Sequence, residues 1–491
     1  MGLIQRQGLK YSIVNWGGVF IGALSTMFIF PRALEEYGLI RFILDTSMLL
    51  FPLLSFGINS VIIRFFPYFE DYEHKHNGFL GIILIWGGIS YCLCMLLFLG
   101  VGDSVFAFYS SKGALFNQYL WILLPTMFFT TLNTILNQYS ICFKRIVVPS
   151  LLFDVSQKIA LPALVISYLA HWISLSTMLY LLLLYLGFVS VGFVAYIIHL
   201  KAFFVKPNFQ KLTPKLRREM ASYALFGLVG GIGFLLVSRF DSWLVSTMIG
   251  LKNNGIYAIS AFIANTMEVP SRAVIGLSLP LISRYWKDNN TAEIASLYKK
   301  ASINLLIMAL LIFGIFWSSV DAFFMIIANS KEMETGKMVV LLLGLGRIVD
   351  MATGVNNYIL NYSRYFVYSY IQILIPAIIS VILGLWLTPL YGMVGAAISI
   401  LCSTSIYNAI SIILNWHFFK IQPFTRKFGT IILSAIGAFL CAKTATLLPT
   451  HWLLNAVLVS GIFSTLFVYA IWKMQLSDEV VHLINKTLKK I

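Results

Sequence analysis

The run at residues 177–200, TMLYLLLLYLGFVSVGFVAYIIHL, decides the fold class of this chain. It contains no Asp, Glu, Lys or Arg. An α-helix rises about 1.5 Å per residue, so a helix of this length measures about 36 Å and exceeds the ~30 Å hydrocarbon layer of a bilayer. The run therefore predicts a membrane-spanning helix.

The rest of the chain has the same character. Of its 491 residues, 59% are hydrophobic and 11% are charged, against about 25% charged in a soluble domain. Because the apolar runs do not alternate with polar residues, a β-barrel is excluded. The fold class is therefore an all-α polytopic membrane protein with about 14 transmembrane helices. We predict fourteen spans, at residues 11–30, 42–63, 79–99, 119–141, 149–169, 177–200, 221–249, 256–282, 302–320, 338–360, 366–387, 392–416, 428–442 and 452–472.

The net charge of +16 would fit nucleic-acid binding, but the position of the charges indicates a topology signal instead. Most basic residues lie in loops on one side of the predicted helices. Lys and Arg are retained in cytoplasmic loops, so we predict cytoplasmic N- and C-termini in a multi-pass inner-membrane protein. The positive rim suits anionic lipid head groups, and nucleic acid is not an expected partner. Of the 35 basic residues, the predicted outer loops hold Arg32, Arg41, Lys112, Lys252, Lys331, Lys337 and Lys443.

Two segments of the chain look like copies of one another. Tyr37-Gly38-Leu39 opens span two and is followed by Pro52, while Asn254-Gly255-Ile256-Tyr257 opens span eight and is followed by Pro270. A basic stretch at 201–220 lies between them. We therefore predict two parallel six-helix bundles, at residues 1–205 and 206–420, that meet along a central cleft. Two additional helices and a cytoplasmic tail occupy 421–491.

Charged residues inside the spans are the candidates for function, because an ionisable side chain in hydrocarbon costs several kcal/mol (~3 kcal/mol on insertion scales) and needs a cavity or a partner. Helical spacing predicts pairs on one face for Arg41 with Asp45, Asp154 with Lys158, Glu268 with Arg272 and Arg347 with Asp350. Arg239 and Asp241 point apart at i, i+2, so each needs a partner on another helix or a ligand. The candidates are Asp45, Asp154, Lys158, Arg239, Asp241, Glu268, Arg272, Arg347 and Asp350.

Arginine at intermediate depth favours an anionic substrate, because its planar fork of donors binds phosphate in a bidentate fashion and stays charged when desolvated. Arg239, Arg272 and Arg347 are therefore the candidate phosphate ligands. Inter-helix salt bridges are the structural alternative for each of them. Amides in the first half suit sugar hydroxyls but also bridge membrane helices. These amides are Asn15, Asn59, Asn133, Asn137 and Gln138.

The pattern of spans and the Tyr-Gly-Leu opening of span two resemble the Wzx-type oligosaccharide flippases of the multidrug/oligosaccharidyl-lipid/polysaccharide superfamily. Residues 387–397, LTPLYGMVGAA, are similar to the turn that these proteins often have between spans eleven and twelve, and Asn357-Tyr358 to Ser363-Arg364 is also similar to the family. The resemblance implies a MATE-like fold of two bundles. It also implies a lipid-linked oligosaccharide carried head-first through a cationic cavity.

The sequence hypothesis is a non-enzymatic flippase. It would move a polyprenyl-diphosphate-linked oligosaccharide to the outer leaflet by alternating access, for O-antigen, capsule or exopolysaccharide synthesis. Arg239, Arg272 and Arg347 would hold the diphosphate and sugar. Coupling to Na⁺ or H⁺, or cavity charge, would involve Asp241, Glu268, Asp350, Asp154 and Lys158. No catalytic residue, metal or cofactor is expected. Membrane lipids and a polysaccharide polymerase machinery are the further expected partners.

Two rival functions remain open at this point. A cation-coupled drug antiporter of the same superfamily should have an acidic or neutral cavity, so the three arginines count against it. A membrane-embedded glycosyltransferase or polymerase would usually present a sizeable outer loop with catalytic acids, and the longest predicted outer loops, at 100–118 and 321–337, are short. No Gly-x-x-x-x-Gly-Lys-Ser/Thr motif of an ATP-driven pump is present.

Overall fold

A computed structural model describes residues 3–71, 73, 75–143, 145–447 and 451–488 of the chain. Lys144, Lys489 and Lys490, which the topology prediction assigns to the cytoplasm, lie outside the described residues, as does the side chain of Asn15. The described part is helical and contains no strand. This confirms the predicted all-α fold class.

The α-helices vary in length from a single turn to 35 residues. In the first half they are α1 (Leu3–Phe28), α2 (Leu34–Ser55), α3 (Ile58–Phe69), α4 (Phe79–Ser110), α5 (Ala114–Tyr119), α6 (Leu123–Ile141), α7 (Val147–Ser150), α8 (Ser156–Leu169), α9 (Leu175–His199) and α10 (Pro214–Met248). In the second half they are α11 (Leu251–Thr266), α12 (Ser271–Lys287), α13 (Thr291–Ser318), α14 (Val320–Ile326), α15 (Ser330–Met333), α16 (Lys337–Thr353), α17 (Asn356–Asn361), α18 (Ser369–Tyr391), α19 (Met393–Phe419), α20 (Arg426–Lys443), α21 (Trp452–Lys473) and α22 (Asp478–Leu488).

The apolar run that predicted a span forms α9, and its two faces have different surroundings. Leu182, Leu186 and Phe193 are buried, and α9 packs against α6. Leu184 and Phe188 are 62% and 73% exposed, one turn apart on the other face. Because large apolar side chains cannot face water in such numbers, this second face is suited to lipid.

Eleven helical runs in the described part are long and apolar enough to cross a membrane. The chain is therefore a multi-pass membrane protein, and the count of fourteen spans stays a prediction. The three predicted spans outside this set fall on α1, on α11 with α12, and on α16 with α17. In the last two cases the span is divided between two helices. As a result α11 has only 16 residues, and α12 and α16 have 17 each.

Interrupted helices are a recurrent feature of the fold. Phe56 and Gly57 separate α2 from α3 and are left-handed, with φ of 47° and 69°. A turn at residues 267–270, which ends at Pro270, separates α11 from α12. Gly354, with φ of 67°, ends α16. The predicted span at 256–282 is thus broken at the turn that ends with Pro270, and the span predicted at 42–63 is broken as well.

The chain packs as two compact units, Met1–Ala258 and Ile259–Ile491. In the first unit, α2 packs against α6 and α10, and α10 also packs against α3. In the second unit, α16 and α18 pack against α19, and α13 packs against α16, α20 and α21. The helix α10, which the sequence assigns to the second bundle, packs within the first unit. The predicted bundle limits at 205 and 420 stay predictions.

Two glycines in the first unit let α2 and the start of α11 touch backbone to backbone. A Cβ on Gly38 would overlap the carbonyl oxygen of Leu251, and a Cβ on Gly255 would overlap that of Leu34. Gly38 lies four residues after Leu34, and Gly255 lies four residues after Leu251. Each helix therefore offers the other a carbonyl and, one turn later, a glycine, so the contact is reciprocal. The reciprocity supports the inference that the two glycine-containing openings are copies.

We expect Gly255→Ala to lower the free energy of unfolding by about 1–3 kcal/mol, because the added methyl group collides with rigid backbone. Thermal unfolding of the purified protein in detergent measures the change. Gly88→Ala on α4 is the matched control, since no atom lies within 4 Å of its Cβ position and alanine is the better helix former. Equal unfolding temperatures for the two variants would contradict the backbone contact.

Candidate functional site

Asp45 on α2 is the centre of the charged cluster in the first unit. Its side chain is 2% exposed and accepts from two arginines. Arg41 lies one turn earlier on the same helix, with Nη2 at 2.9 Å from Oδ2. Arg239, on α10, places Nη1 at 2.8 Å from Oδ1. The predicted Arg41–Asp45 pair is confirmed, and Arg239 has the partner on another helix that its spacing requires.

A hydroxyl and an amide extend this cluster toward α11. Ser242 Oγ lies 2.8 Å from Asp45 Oδ2 and 2.9 Å from Asn254 Oδ1, and its single proton can serve only one of these acceptors at a time. Asn254 Nδ2 donates to the carbonyl of Gly38 at 3.1 Å. The cluster therefore links α10 and α11 to the glycine contact on α2.

Asp241 belongs to the same region but faces a different partner. The hydroxyl of Tyr257 donates to Asp241 Oδ2 at 2.6 Å. Tyr257 is 1% exposed. The i, i+2 offset from Arg239 therefore turns Asp241 away from the arginines, as the sequence predicts.

A cavity of about 80 Å³ opens beside Asp45. Its lining includes the guanidinium groups of Arg41 and Arg239 and the carboxylate of Asp45, so the charged lining has an excess of one positive charge. The polar side chains of Thr130, Asn133, Gln157 and Tyr185 and several apolar residues complete it. Arg41 Nε and Thr130 Oγ1 are buried without a hydrogen-bond partner among the described residues.

The amides proposed as sugar contacts have different environments. Asn133 lines the cavity, but its Nδ2 donates to the carbonyl of Leu186 at 3.0 Å and its Oδ1 accepts from Ser190 at 2.7 Å. It therefore bridges α6 and α9, which is the structural alternative stated for it. Asn59 Oδ1 and Asn137 Oδ1 are buried without a partner in the described part of the chain.

Arg347 is the centre of a second cluster, in the second unit. Its Nη1 lies 3.1 Å from Glu268 Oε2. Its Nε and Nη2 donate to Asn265 Oδ1 at 3.0 and 2.6 Å. The guanidinium is thus neutralised by a carboxylate from the turn between α11 and α12 and held by an amide from the end of α11.

Two pairs predicted in this unit are wrong. Glu268 pairs with Arg347 and not with Arg272, because the turn at 267–270 breaks the helical spacing between them. Arg272 is exposed and makes no ion pair or hydrogen bond within the described ranges. Arg347 likewise does not pair with Asp350, which accepts from Asn408 Nδ2 of α19 at 3.1 Å.

Asp350 belongs to a buried polar network. Asn408 is 1% exposed, and its Oδ1 accepts from Thr353 at 2.6 Å and from Asn356 at 2.9 Å. Asn415 Nδ2 donates to the carbonyl of Asn356 at 2.8 Å. This network joins α16, α17 and α19 around the carboxylate.

Asp154 and Lys158 lie in another part of the first unit. A π-helical turn at Leu151–Val155 precedes α8, and Ser150 Oγ donates to Asp154 Oδ2 at a long 3.5 Å. The Lys158 side chain lies against Gly18 of α1, with Cδ 3.3 Å from the Cβ position of that glycine. Their role as coupling or cavity charges stays a prediction.

Sequence reasoning missed the uncharged partners of the two clusters and of Asp350. Ser242, Asn254, Asn265 and Asn408 were not among the candidates. Ser242 was detectable, since it lies at i+3 from Arg239 and therefore on the same face of α10. The other three carry no local signal, because they approach their charged partners from another helix.

Comparison with known proteins identifies the family. The profile of the family described as "Polysaccharide biosynthesis protein" matches residues 11–286. No curated protein matches the chain at a significant level. Several solved structures match over most of the chain.

The solved structures show the fold. "Lipid II flippase MurJ, inward closed conformation" is similar with a TM-score of 0.69 and 13% identity, over 96% of this chain and 99% of that one. A MATE family multidrug resistance transporter of the MOP superfamily is similar in its inward-facing conformation, with a TM-score of 0.59 and 15% identity over 86% and 95% of the two chains. Its outward-facing counterpart has a TM-score of 0.54 and 16% identity over 85% and 96%. The predicted MATE-like fold is confirmed.

We expect Asp45→Asn to lower the free energy of unfolding by on the order of 3 kcal/mol, because two arginines lose their shared carboxylate in a buried site. Asp321→Asn is the matched control. Its carboxylate pairs with Lys337 and is 73% exposed, so its loss should change stability by no more than about 1 kcal/mol. Thermal unfolding in detergent compares them, and equal shifts would contradict the role of Asp45.

Proposed function

The chain belongs to the family of polysaccharide biosynthesis proteins, and on that premise we propose that it is a flippase for a polyprenyl-diphosphate-linked oligosaccharide. It moves this lipid from the inner to the outer leaflet of the cytoplasmic membrane by alternating access, for the synthesis of a surface polysaccharide. Both termini are cytoplasmic in this proposal. Membrane lipids and the polysaccharide polymerase machinery are its partners.

The cavity beside Asp45 is the observation that carries the proposal. Its two guanidinium groups outnumber its one carboxylate, so a bound diphosphate gains favourable interactions that a cationic drug does not. Arg239 is 36% exposed on its side chain and uses Nη1 for Asp45, which leaves Nε and Nη2 for phosphate oxygens. The buried, unpartnered Arg41 Nε is a further donor for such a ligand.

The sugar part of the substrate needs hydroxyl and amide groups rather than charge. Thr130, Gln157 and Tyr185 line the same cavity, and the unpartnered Thr130 Oγ1 can donate to or accept from a sugar hydroxyl. Asn133 is engaged by backbone and serine and holds the wall in place.

Arg272 and Arg347 remain in the proposal as phosphate ligands, with unequal support. Arg347 already has a carboxylate and an amide partner, so phosphate must compete with Glu268 for it. Arg272 is exposed and free of ion pairs in the described part of the chain, so phosphate can bind it without displacing a carboxylate. Of the three arginines, Arg239 is therefore the best supported as a phosphate ligand.

Coupling to Na⁺ or H⁺ is proposed for the carboxylates. Asp350 accepts from Asn408 Nδ2 at the edge of a network that also includes Thr353 and Asn356, and its carboxylate can take up a proton or ligate a hard cation. Asp241 and Glu268 face Tyr257 and Arg347, and Asp154 and Lys158 are the remaining candidates. The ion drives turnover only if it and the substrate favour different conformations.

We expect Arg239→Gln to reduce flipping of a polyprenyl-diphosphate-linked sugar at least about tenfold, since a charge-assisted phosphate contact contributes about 1.5–3 kcal/mol. Fluorescent lipid in proteoliposomes gives the rate, and surface polysaccharide in a deletion strain gives the cellular effect. Asp45 keeps Arg41 in this variant, so folding should survive, and thermal unfolding checks it. Arg239→Lys should retain part of the rate.

Arg284→Gln is the control, because Arg284 is 77% exposed and pairs with Asp288 away from the cavity. An unchanged rate in Arg239→Gln at a normal protein level would contradict the phosphate role. A drug-efflux assay in a sensitised strain tests the antiporter alternative: efflux without flipping would replace the proposed function.

We expect Asp350→Asn to bind substrate but lose the dependence of flipping on a Na⁺ or H⁺ gradient. The amide oxygen can still accept from Asn408, whereas an amide neither releases a proton nor neutralises a sodium ion. Rates in proteoliposomes with and without each gradient measure the effect, with Asp321→Asn as the control. Persistence of the wild-type gradient dependence would exclude Asp350 as the coupling residue.

A further inference from the structure

A second polar cavity lies in the second unit, at the ends of α12, α17 and α19 and the start of α13. Its volume is about 390 Å³. It shares no lining residue with the Asp45 cavity and does not include Arg347, Glu268 or Asp350. The proposed transport function therefore gives this cavity no role.

Arg364 supplies the only formal charge among the lining residues. Its guanidinium lies over the ring of Tyr365, 4.9 Å from the centroid, and it makes no ion pair or hydrogen bond within the described ranges. The nearby Asp288 is 3.7 Å from Arg284 and is therefore already paired. The cavity is a site of net positive charge with an arginine free for an anion.

Hydroxyl and amide groups stand beside the arginine. Asn289 and Thr291 contribute to the lining. Ser363 also lies there, but its Oγ already donates to the carbonyl of Leu360 at 2.8 Å and accepts from the backbone N–H of Tyr365 at 3.0 Å. Together with Arg364, the Asn289 amide and the Thr291 hydroxyl can donate to the oxygens of a phosphate.

Aromatic side chains form a rigid wall of the cavity. Trp286 Nε1 donates to the carbonyl of Ile359 at 3.1 Å, and its ring lies 4.6 Å from that of Phe419. Phe418 stacks on Tyr365 at 4.2 Å, with ring planes 12° apart. The wall is thus fixed before any ligand enters, which lowers the entropy cost of binding.

The position of the cavity at helix ends favours a lipid as its ligand. Trp and Tyr concentrate at the level of the head groups, and this cavity carries Trp286 and Tyr362 at helix ends. Lys287, Lys299, Lys300 and Lys420 lie in the same predicted cytoplasmic loops. An anionic head group of the facing leaflet is therefore attracted to this rim.

We propose that this cavity, the Arg364 pocket, binds the phosphate of an anionic phospholipid head group. The pocket is separate from the candidate transport sites, so lipid binding there does not require the proposed transport function. The phosphate of a lipid-linked sugar has the same chemistry, and the experiment below distinguishes the two sources.

Native mass spectrometry of the full-length protein in detergent tests the proposal, with phosphatidylglycerol as the probe and phosphatidylcholine, which is zwitterionic and has no net charge, as the comparison. We expect the wild-type protein to prefer phosphatidylglycerol, and Arg364→Gln to weaken its binding about tenfold through the loss of a charge-assisted contact. Arg364→Lys should give an intermediate affinity, because the charge remains while the bidentate fork is lost. Thermal unfolding confirms that each variant is folded.

Arg218→Gln is the control, because Arg218 is an exposed arginine of the basic stretch at 201–220, lies outside the pocket and makes no ion pair or hydrogen bond within the described ranges. Equal phosphatidylglycerol binding by wild type and Arg364→Gln would overturn the proposal. An equal loss in Arg218→Gln would also overturn it, because the effect would then be general surface charge. Displacement of phosphatidylglycerol by an equimolar polyprenyl phosphate would assign the pocket to the substrate phosphate and overturn the phospholipid assignment.

Discussion

The burial of the Asp45 carboxylate constrains the interior of the first unit. A charge in a membrane-embedded helix needs partners of opposite charge or a water-filled cavity, and Asp45 has both, with Arg41 and Arg239 as its cations and a cavity at its side. Since Arg239 comes from α10, the ion pair fixes the position of that helix against α2. Two arginines on one carboxylate leave positive charge in excess, which makes the site suited to an anion.

The close approach of backbones sets the geometry in which this cluster can form. Gly38 and Gly255 bring α2 and α11 into direct contact. Asn254, next to Gly255, donates to the carbonyl of Gly38, and its Oδ1 lies 2.9 Å from Ser242 Oγ. The glycine contact and the charged cluster are therefore coupled through one amide. A side chain at either glycine would separate the helices and lengthen the hydrogen bonds around Asp45.

The sequence was sufficient for the features that depend on local chemistry. Apolar runs predicted the helical membrane fold, and the i, i+4 spacing of Arg41 and Asp45 predicted their ion pair. Sequence reasoning failed for the ion pairs that depend on tertiary contacts. Glu268 and Arg272 have pair spacing, but the turn between them destroys it, and Arg347 approaches Glu268 from another helix. Uncharged partners such as Asn408 give no periodic signal, so their role depended on the packing of α16 against α19.

The arginines of the two units differ in how fully their charge is neutralised. This difference bears on which arginine can bind an anionic substrate in the proposed function. Arg347 is matched one to one with Glu268 and held by Asn265, so an incoming phosphate gains little net attraction there. In the cavity beside Asp45, the guanidinium of Arg239 keeps donors that the carboxylate does not use. An interaction can drive a transport cycle only if its strength differs between the conformations of the protein. In the proposed function, phosphate can compete with Asp45 for Arg239 while Arg41 keeps the carboxylate neutralised. Arg239 is therefore better suited than Arg347 to bind substrate in one conformation and release it in another.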